Sequence, residues 1–483
     1  MQFPTIFRIL GVLLMLFSVS MLAPIFVAQI YDDGAAGAFL FSFLLTLLSG
    51  FLLWFRFRHF HQQFRTRDGF LIVGLFWMVL SLYGAIPLFV LNHAHNSFTD
   101  AIFESVSGLT TTGATIISGI DFLPHALQFY RQELQFLGGM GIIVLAVAVL
   151  PMLGIGGMQL YRADTPGPMK NSKLTPRITE TAKALWLIYV GLNIACIVCY
   201  WLAGMGLFDA ICEAFSTIST GGFSLHDTSF TYYNSNKIDL IAIIFMLLGG
   251  TNFALHFIAL RNGNISCYWR DTEFRFYLAI IFSVVLFAII VLALQDTYTN
   301  LADAIVKPMF MVVSFATTTG FYNTQYNTWP AFLTILIMFV TLIGACGGST
   351  TGGAKMVRFV LLGKQSMREL KRLLHPRAVY NIKFGKRVLP ENVVESIWGF
   401  MAAYLGLLVI LMLLLLMTGL DLTTAFSVIV ATIANAGAAL GTASEHFGSL
   451  TPFAKWVCIF AMLAGRLEVF SLLILFLPSF WKE

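Results

Sequence analysis

Charged residues are what this sequence lacks most. Asp, Glu, Lys and Arg make up 11% of its 483 residues, whereas hydrophobic residues make up 58%. Soluble domains carry roughly 25% charged and 45–50% apolar residues. The composition therefore excludes a soluble protein and predicts a polytopic membrane protein. The net charge of +5 comes from basic loops between apolar runs, so it indicates membrane topology and not nucleic-acid binding.

Cysteine and catalytic residue sets are also scarce. The six cysteines lie mostly inside apolar runs, and the pair Cys196 and Cys199 has neither a second pair nor a nearby histidine. A zinc or redox site is therefore not predicted. The sequence shows no Ser/His/Asp set, H-E-x-x-H pattern or clustered carboxylates. A polytopic membrane enzyme is thus the less favoured alternative to a transport protein, and no organic cofactor is expected.

Long apolar runs dominate the chain instead. About ten reach the ~20 residues that a spanning helix needs. They begin near residues 5, 36, 70, 128, 180, 238, 276, 328, 394 and 453. The first run resembles a secretory signal, but Pro24 follows Ala23 and the run continues to Ile30, which favours an uncleaved span.

Four further apolar segments are too short to cross and are predicted to be re-entrant half-helices. They lie near residues 100–111, 209–219, 308–317 and 424–434. Basic connections are predicted to be cytoplasmic, as is the N-terminus. These connections are Arg56 to Arg67, Arg162 to Lys183, Arg261 to Arg275 and Lys355 to Arg387. They alternate with acidic connections only if each half-helix enters and leaves on the outer side.

Each short segment ends in a weak copy of one motif. The copies align on glycines 109, 98 and 117 positions apart, namely Gly113, Gly222, Gly320 and Gly437. A serine lies six residues before three of these glycines, and Ala431 takes that place in the fourth copy. The period indicates an internal repeat. We predict an all-α polytopic membrane protein with four helix–pore loop–helix repeats around one central pore, plus an N-terminal helical hairpin.

The predicted boundaries follow the repeat. They are 1–68 for the hairpin, then 69–178, 179–274, 275–392 and 393–483 for the four repeats. Asp100, Asp209 and Thr424 each stand thirteen positions before their glycine, which predicts N-caps of the half-helices. In the third repeat Lys307 takes that place, and Pro308 is predicted to be the first helical residue.

The half-helices and glycines together favour a cation pore. A half-helix that enters from outside points the negative end of its dipole at the membrane interior. Glycine then lets backbone carbonyls turn inward, and rings of carbonyls can replace the hydration shell of an ion. One Thr-Thr-Gly alone would indicate helix packing, but four copies in phase favour a filter. The predicted filter residues are Thr111, Thr112, Gly113, Thr220, Gly221, Gly222, Thr318, Thr319, Gly320, Asn435, Ala436 and Gly437.

These residues resemble the Trk/Ktr/HKT superfamily, and the hairpin and length resemble its TrkH/TrkG branch of bacterial potassium-uptake subunits. The resemblance rests on Thr110-Thr-Thr-Gly-Ala-Thr, Gly138-Gly-Met-Gly-Ile-Ile-Val, Gly221-Gly-Phe-Ser-Leu-His-Asp, Gly347-Gly-Ser-Thr-Thr-Gly-Gly and Gly465-Arg-Leu-Glu. It implies a pore for K⁺ in the inner membrane, normally a homodimer, regulated by a cytoplasmic nucleotide-binding TrkA-type ring. A sodium- or ammonium-permeable pore is the nearest alternative. The chain departs from the family pattern at Ala345, Thr351 and Ala438, where glycine, glycine and proline are expected.

A glycine-rich stretch from Gly344 to Lys355 interrupts the last helix of the third repeat, and we predict a movable gate there. The alternative is a helix kinked for close packing. The predicted gate residues are Gly344, Gly347, Gly348, Ser349, Gly352 and Gly353, together with Arg466. The basic residues that follow up to Arg387 could bind a regulator or anionic lipid.

Three groups of polar residues complete the predictions. Arg466 is costly within an apolar run, and the resemblance implies that it faces the permeation path; the alternative is a carboxylate partner that fixes helix packing. Arg131 and its polar neighbours fit either a structural ion pair or an outer vestibule. Asn252 and His256 are interpreted as helix–helix hydrogen-bonding groups.

Overall fold

The computed structural model describes residues 2–60, 66–91, 97–144, 174–385 and 387–482. Regular secondary structure in these ranges is helical, apart from an antiparallel pair of two-residue strands, β1 (Lys383–Phe384) and β2 (Arg387–Val388). The predicted all-α membrane fold class is therefore confirmed. Most of the connection predicted from Arg162 to Lys183 lies outside the described residues.

An N-terminal hairpin precedes the half-helices. It consists of α1 (Phe3–Ser20), α2 (Leu22–Tyr31) and α3 (Ala36–Phe57). Small residues bring its backbones together, because a Cβ added at Gly50 would lie 2.8 Å from the carbonyl oxygen of Gly11. Close approach of this kind is how helices associate in lipid, where no hydrophobic force drives them together.

The first predicted repeat contains α4 (Thr66–Leu91), the half-helix α5 (Phe98–Leu109) and α6 (His125–Val144). The second contains α7 (Leu174–Leu202), the half-helix α8 (Leu207–Ser219), α9 (Asn236–Gly249), α10 (Phe253–Asn262) and α11 (Ser266–Arg270). The half-helices α5 and α8 are thus flanked by longer helices, as the apolar runs predict.

The third predicted repeat contains α12 (Thr272–Leu294), the half-helix α13 (Leu301–Ala316), α14 (Ala331–Ile343) and α15 (Met356–Leu374). The fourth contains α16 (Glu391–Leu416), the half-helix α17 (Leu422–Ile433), α18 (Pro452–Arg466), α19 (Phe470–Leu473) and α20 (Pro478–Trp481). The boundaries between the repeats remain predictions.

Fewer straight spans are present in the described residues than the ten apolar runs suggest. Six helices are long and apolar enough to cross a membrane, or up to eight if two sharply bent pairs each count as one span. The second helix of a repeat is the source of the difference. It is bent by 94° between α9 and α10 and by 110° after α18, and in the third repeat it is interrupted between α14 and α15.

The sequence predicted the break in the third repeat and missed the breaks in the second and fourth repeats. Asn252 lies in the break of the second repeat, between α9 and α10. Its side chain accepts from the Ala254 N–H at 2.9 Å as the N-cap of α10. Its predicted role between helices is therefore wrong, whereas His256 does bridge elements, contacting the Leu248 carbonyl at 3.0 Å. The break in the fourth repeat has positive φ at Glu468 and Val469, and neither residue type predicts a positive φ.

The half-helices begin earlier than predicted. Ser97 caps α5, and Asp100 is the third helical residue, where its carboxylate completes a capping box. Asp209 and Thr424 also lie at third positions, because α8 and α17 start at residues 207 and 422. In the third repeat Asn300 is the cap, so Pro308 lies inside α13 and not at its start. The acidic third positions still favour the positive helix end.

Candidate cation-binding site

The four glycine segments, defined as residues 111–113, 220–222, 318–320 and 435–437, share one backbone conformation. The first residue of each has a left-handed φ of 49° to 54°, and the glycine has a φ of 70° to 83°. The middle residue has a negative φ. Backbone that alternates in the sign of φ turns successive peptide groups to one side of the chain. Each segment can therefore present neighbouring carbonyls together.

One hydrogen bond fixes all four segments to their half-helices. The N–H of the middle residue donates to the carbonyl five positions earlier, at 2.8 Å in every case. The pairs are Thr112 with Ser107, Gly221 with Ser216, Thr319 with Ser314 and Ala436 with Ala431. The residue six positions before the glycine contributes its backbone carbonyl in every copy, and Ala431 makes this bond as the serines do.

The glycine segments meet one another in chain order. A Cβ added to any of the four glycines would collide with a carbonyl oxygen of the next segment. The contacts are Gly113 with Gly221, Gly222 with Thr319, Gly320 with Ala436, and Gly437 with Thr112. The last contact joins the fourth segment to the first, so the contacts form a closed ring. Backbone oxygens are suitable ligands for an alkali cation, and side chains have no room there.

Acidic side chains do not supply the site in the described part of the chain, where no group of three or more His, Cys, Asp or Glu could hold a metal ion. Ala438 stands where the family pattern has proline. Its N–H donates to the Ala436 carbonyl at 2.8 Å, a bond that proline cannot make because it has no N–H.

Buried carboxylates support the residues that follow the first two glycines. Glu104 accepts from Arg131 Nε at 2.8 Å, from Thr115 Oγ1 at 2.9 Å and from the Ile116 N–H at 3.1 Å. Arg131 therefore belongs to a structural ion pair. Glu213 accepts from Ser224 Oγ and from the Leu225 N–H, which follow the second segment. Sequence reasoning missed both glutamates, although each lies nine residues before its glycine.

The gate loop, residues 344–355, lies against the ends of the half-helices. The Gly352 N–H donates to Thr318 Oγ1 at 2.8 Å. Thr350 Oγ1 donates to the carbonyls of Ile218 at 3.0 Å and Gly249 at 3.1 Å. A Cβ on Gly352 would collide with the Ala434 carbonyl oxygen. The loop therefore contacts the second, third and fourth half-helix ends.

The remaining predicted gate residues fold this loop tightly. Gly344, Gly348 and Gly353 have φ of 69°, 72° and 74°, which explains glycine at these positions. The Gly347 N–H donates to Glu273 Oε1 at 2.8 Å. Ser349 Oγ lies 2.7 Å from Thr351 Oγ1, so the threonine that departs from the family pattern takes part in the loop's own bonding.

Arg466 lies beside the gate loop and is 5% exposed. Its Nη1 donates to the Thr350 carbonyl at 2.9 Å, while Nε and Nη2 have no partner among the described residues. Glu468 pairs with Arg358 at 2.5 Å instead. The alternative in which a carboxylate holds Arg466 is therefore wrong. Lys355 adds a second buried cation, and its Nζ donates to the Thr351 carbonyl.

A histidine joins the loops that follow the first two segments. His226 Nδ1 lies 2.5 Å from Asp121 Oδ1, Nε2 lies 3.9 Å from Asp209 Oδ2, and the ring stacks on Tyr232. Burial lowers the pKa of His226, but the two carboxylates outweigh it, so the pKa is raised. Burial by itself would raise the pKa of Asp121. The hydrogen bond and charge of His226 outweigh burial, and the pKa of Asp121 is lowered. Both directions favour the charged pair.

A sequence profile described as the cation transport protein TrkH matches residues 36–483. The chain belongs to the TrkH family. This TrkH-family chain is 52% identical to the Trk system potassium uptake protein TrkH of Vibrio parahaemolyticus and 51% identical to that of Escherichia coli K12, over the full length of both partners. It is 41% identical to the Escherichia coli protein TrkG, with 98% of this chain and 97% of TrkG covered.

The fold agrees with this membership. The crystal structure of the potassium transporter TrkH from Vibrio parahaemolyticus superimposes with a TM-score of 0.94 at 50% identity, covering 100% of both chains. The resemblance inferred from the glycine motifs is therefore confirmed. Membership of a cation transport family also confirms that this TrkH-family chain is a transport protein and not a membrane enzyme.

Proposed function

We propose that this chain takes up potassium across the bacterial inner membrane through a pore whose filter is the ring of glycine segments. The closed ring of contacts between glycines and neighbouring carbonyls is the observation that carries the proposal. A common φ pattern in all four segments supports it, since equal backbones can offer equal oxygens to one ion. The names of these relatives describe potassium uptake and agree with potassium as the ion.

The gate loop would control passage below the filter in this proposal. Its hydrogen bonds to the half-helix ends hold it in place, Arg466 puts buried positive charge beside it, and Lys355 puts buried positive charge at its end. Positive charge near the path raises the barrier to a cation. A change that frees the loop would then open the path.

The proposal also includes the assembly. The chain would act as a homodimer with a cytoplasmic N-terminus, in the lipid bilayer, with a TrkA-type nucleotide-binding ring on the cytoplasmic side. α15 leads from the gate loop to that side and carries Lys364, Lys371 and Arg372 on its more accessible surface. For regulation, the partner must bind the open and closed arrangements with different affinity.

Gly113→Ala tests the filter. The added Cβ would collide with the Gly221 carbonyl oxygen and lie 3.0 Å from the Gly222 Cα. We expect the ratio of potassium to sodium flux in proteoliposomes to fall at least about tenfold, which corresponds to ~1.4 kcal/mol of lost discrimination. Gly419→Ala is the matched control, because Gly419 has a similar φ of 88° but no atom within 4 Å of its Cβ position.

The outcomes separate the alternatives. An unchanged ratio in Gly113→Ala, with normal insertion, would contradict a filter at this ring. A parent protein that conducts sodium or ammonium as well as potassium would favour the less selective cation pore.

A further inference from the structure

Helix α6 of the first repeat holds the second glycine segment through side-chain amides. Gln135 is fully buried and uses its whole carboxamide on that segment. Its Nε2 donates to the Gly221 carbonyl at 2.7 Å. Its Oε1 accepts from Ser216 Oγ at 2.5 Å and from the Phe223 N–H at 3.2 Å. Gln135 therefore fixes the backbone on both sides of Gly222.

Two neighbouring side chains of α6 extend this contact. Gln132 Nε2 donates to the Phe223 carbonyl at 3.0 Å, and Arg131 Nη1 lies 3.4 Å from the Ser224 carbonyl. The guanidinium of Arg131 also lies over the Phe223 ring. Residues 221–224 are consequently held by a helix of another repeat and not by their own half-helix alone.

The positions that correspond to Gln135 in the second and fourth repeats carry no side-chain donor for a neighbouring segment. Gly138, Gly249 and Gly465 are equivalent, because a Cβ on each would press on the carbonyl four residues before a filter glycine, namely that of Leu109, Ile218 and Ile433. The residue three positions before each of these glycines is Gln135 in the first repeat, but Met246 and Met462 in the second and fourth. A thioether has no N–H to donate to a neighbouring segment.

The third segment solves the same problem locally. Ser314 Oγ donates to the Phe321 carbonyl at 2.7 Å, directly after Gly320. In the second segment the equivalent Ser216 hydroxyl donates to Gln135 instead, and Gln132 donates to the Phe223 carbonyl. The second segment thus depends on α6 for bonds that the third makes within itself.

We propose that Gln135 is a positioning residue that sets the ion selectivity of the filter, acting through the Gly221 carbonyl; this rests on the proposed filter function. Gly221 supplies the oxygen that contacts Gly113 in the ring. A donated hydrogen bond fixes the direction of that oxygen and draws charge from it. Selectivity depends on the number and field strength of the carbonyls around the ion, so one altered oxygen among four changes discrimination.

Gln135→Met is the test, because it substitutes the residue type of the equivalent positions at similar size. We expect the potassium-to-sodium flux ratio in proteoliposomes to fall about tenfold. Gln128→Met is the matched control: Gln128 is also a buried glutamine of α6, but its Nε2 donates to the Ile120 carbonyl, away from the ring. We expect the control to keep the parental ratio. A purely structural role for Gln135 would lower potassium and sodium flux in proportion, leave the ratio unchanged and overturn the proposal.

Gln135→Glu keeps the proposal testable if the methionine variant does not fold. A carboxylate retains the two acceptor bonds but loses the donor, and protonation restores one O–H that can reach Gly221. We expect a low flux ratio at high pH that recovers at low pH, and a parental ratio at every pH would overturn the proposal. Gly113→Ala, measured in parallel, separates the two levels. An effect there without any effect at Gln135 overturns this inference alone, whereas no effect at Gly113 overturns the proposed filter.

Discussion

The two sides of the glycine ring are held by different kinds of contact. The residues that follow the first two glycines, on the predicted outer side, rest on buried carboxylates and amides of helices: Glu104 with Arg131, Glu213, and Gln135. The half-helix ends, on the predicted inner side, meet the gate loop through hydroxyl and backbone bonds, as at Thr350. The outer network belongs to regular elements, whereas the inner contact belongs to a loop.

This difference teaches where rigidity and movement are to be expected. A buried ion pair whose acceptors are satisfied is costly to break, because one unpaired charge remains. A loop held by a few neutral hydrogen bonds can be released at about 1 kcal/mol for each. Arg466 adds one charged hydrogen bond to this loop, to the Thr350 carbonyl, and its other two nitrogens have no partner in the described residues. The proposed function, a selective filter with a movable gate below it, would need this combination.

The largest effect is expected from Arg131→Met on the outer side. It leaves Glu104 buried without its cation, which should lower the free energy of unfolding by about 3–5 kcal/mol. Thermal unfolding in detergent and the amount of inserted protein measure this. Glu104→Gln combined with Arg131→Met should be less damaging than Arg131→Met alone. Equal loss in the single and double variants would show that the ion pair is not what braces this side.

A smaller effect is expected from Thr350→Val on the inner side. Valine keeps the shape but removes the bonds to the Ile218 and Gly249 carbonyls. Loosening the loop by about 1 kcal/mol should raise potassium flux without the cytoplasmic partner roughly fivefold.

Thr341→Val is the control for this loop variant. The Thr341 hydroxyl is equally buried but bonds the Ile337 carbonyl of its own helix, so its removal should leave the flux unchanged. Parental flux in Thr350→Val would place the gate elsewhere.

The smallest effect concerns His226 at the outer loops. Its raised pKa means that the charged pair with Asp121 stabilises the fold fully below the ordinary histidine value of 6.5. This contribution is lost as pH rises through the raised pKa. The thermal midpoint of the parent should therefore fall between neutral and alkaline pH, and His226→Gln should remove that part of the fall. An identical pH profile in the variant would exclude the histidine as its source.

The sequence by itself determined the membrane environment, the number of glycine segments and their place after short helices. These features are local: apolar length decides whether a helix can span, and a required positive φ selects glycine at Gly113 and its equivalents. The break between Ile343 and Met356 was predictable for the same reason, because five glycines lie within ten residues of the chain there. The starts of α5 and α17 were misplaced by about one turn, because Ser97 and Asp421 are the caps and the predicted Asp100 and Thr424 lie three residues later. The start of α13 was misplaced by about two turns, because Asn300 is the cap and the helix continues through Pro308.

Only the tertiary structure decided how the segments close into a ring and what supports them. Gln135 and Gly221 are 86 residues apart, and Arg466 and the Thr350 carbonyl are 116 apart, so no local pattern could pair them. The partner of Arg466 was open between a carboxylate and the path, because burial demands some partner but does not name it. The packing of helices distant in the chain decides the partner. It places the Thr350 carbonyl beside Arg466 and pairs Glu468 with Arg358.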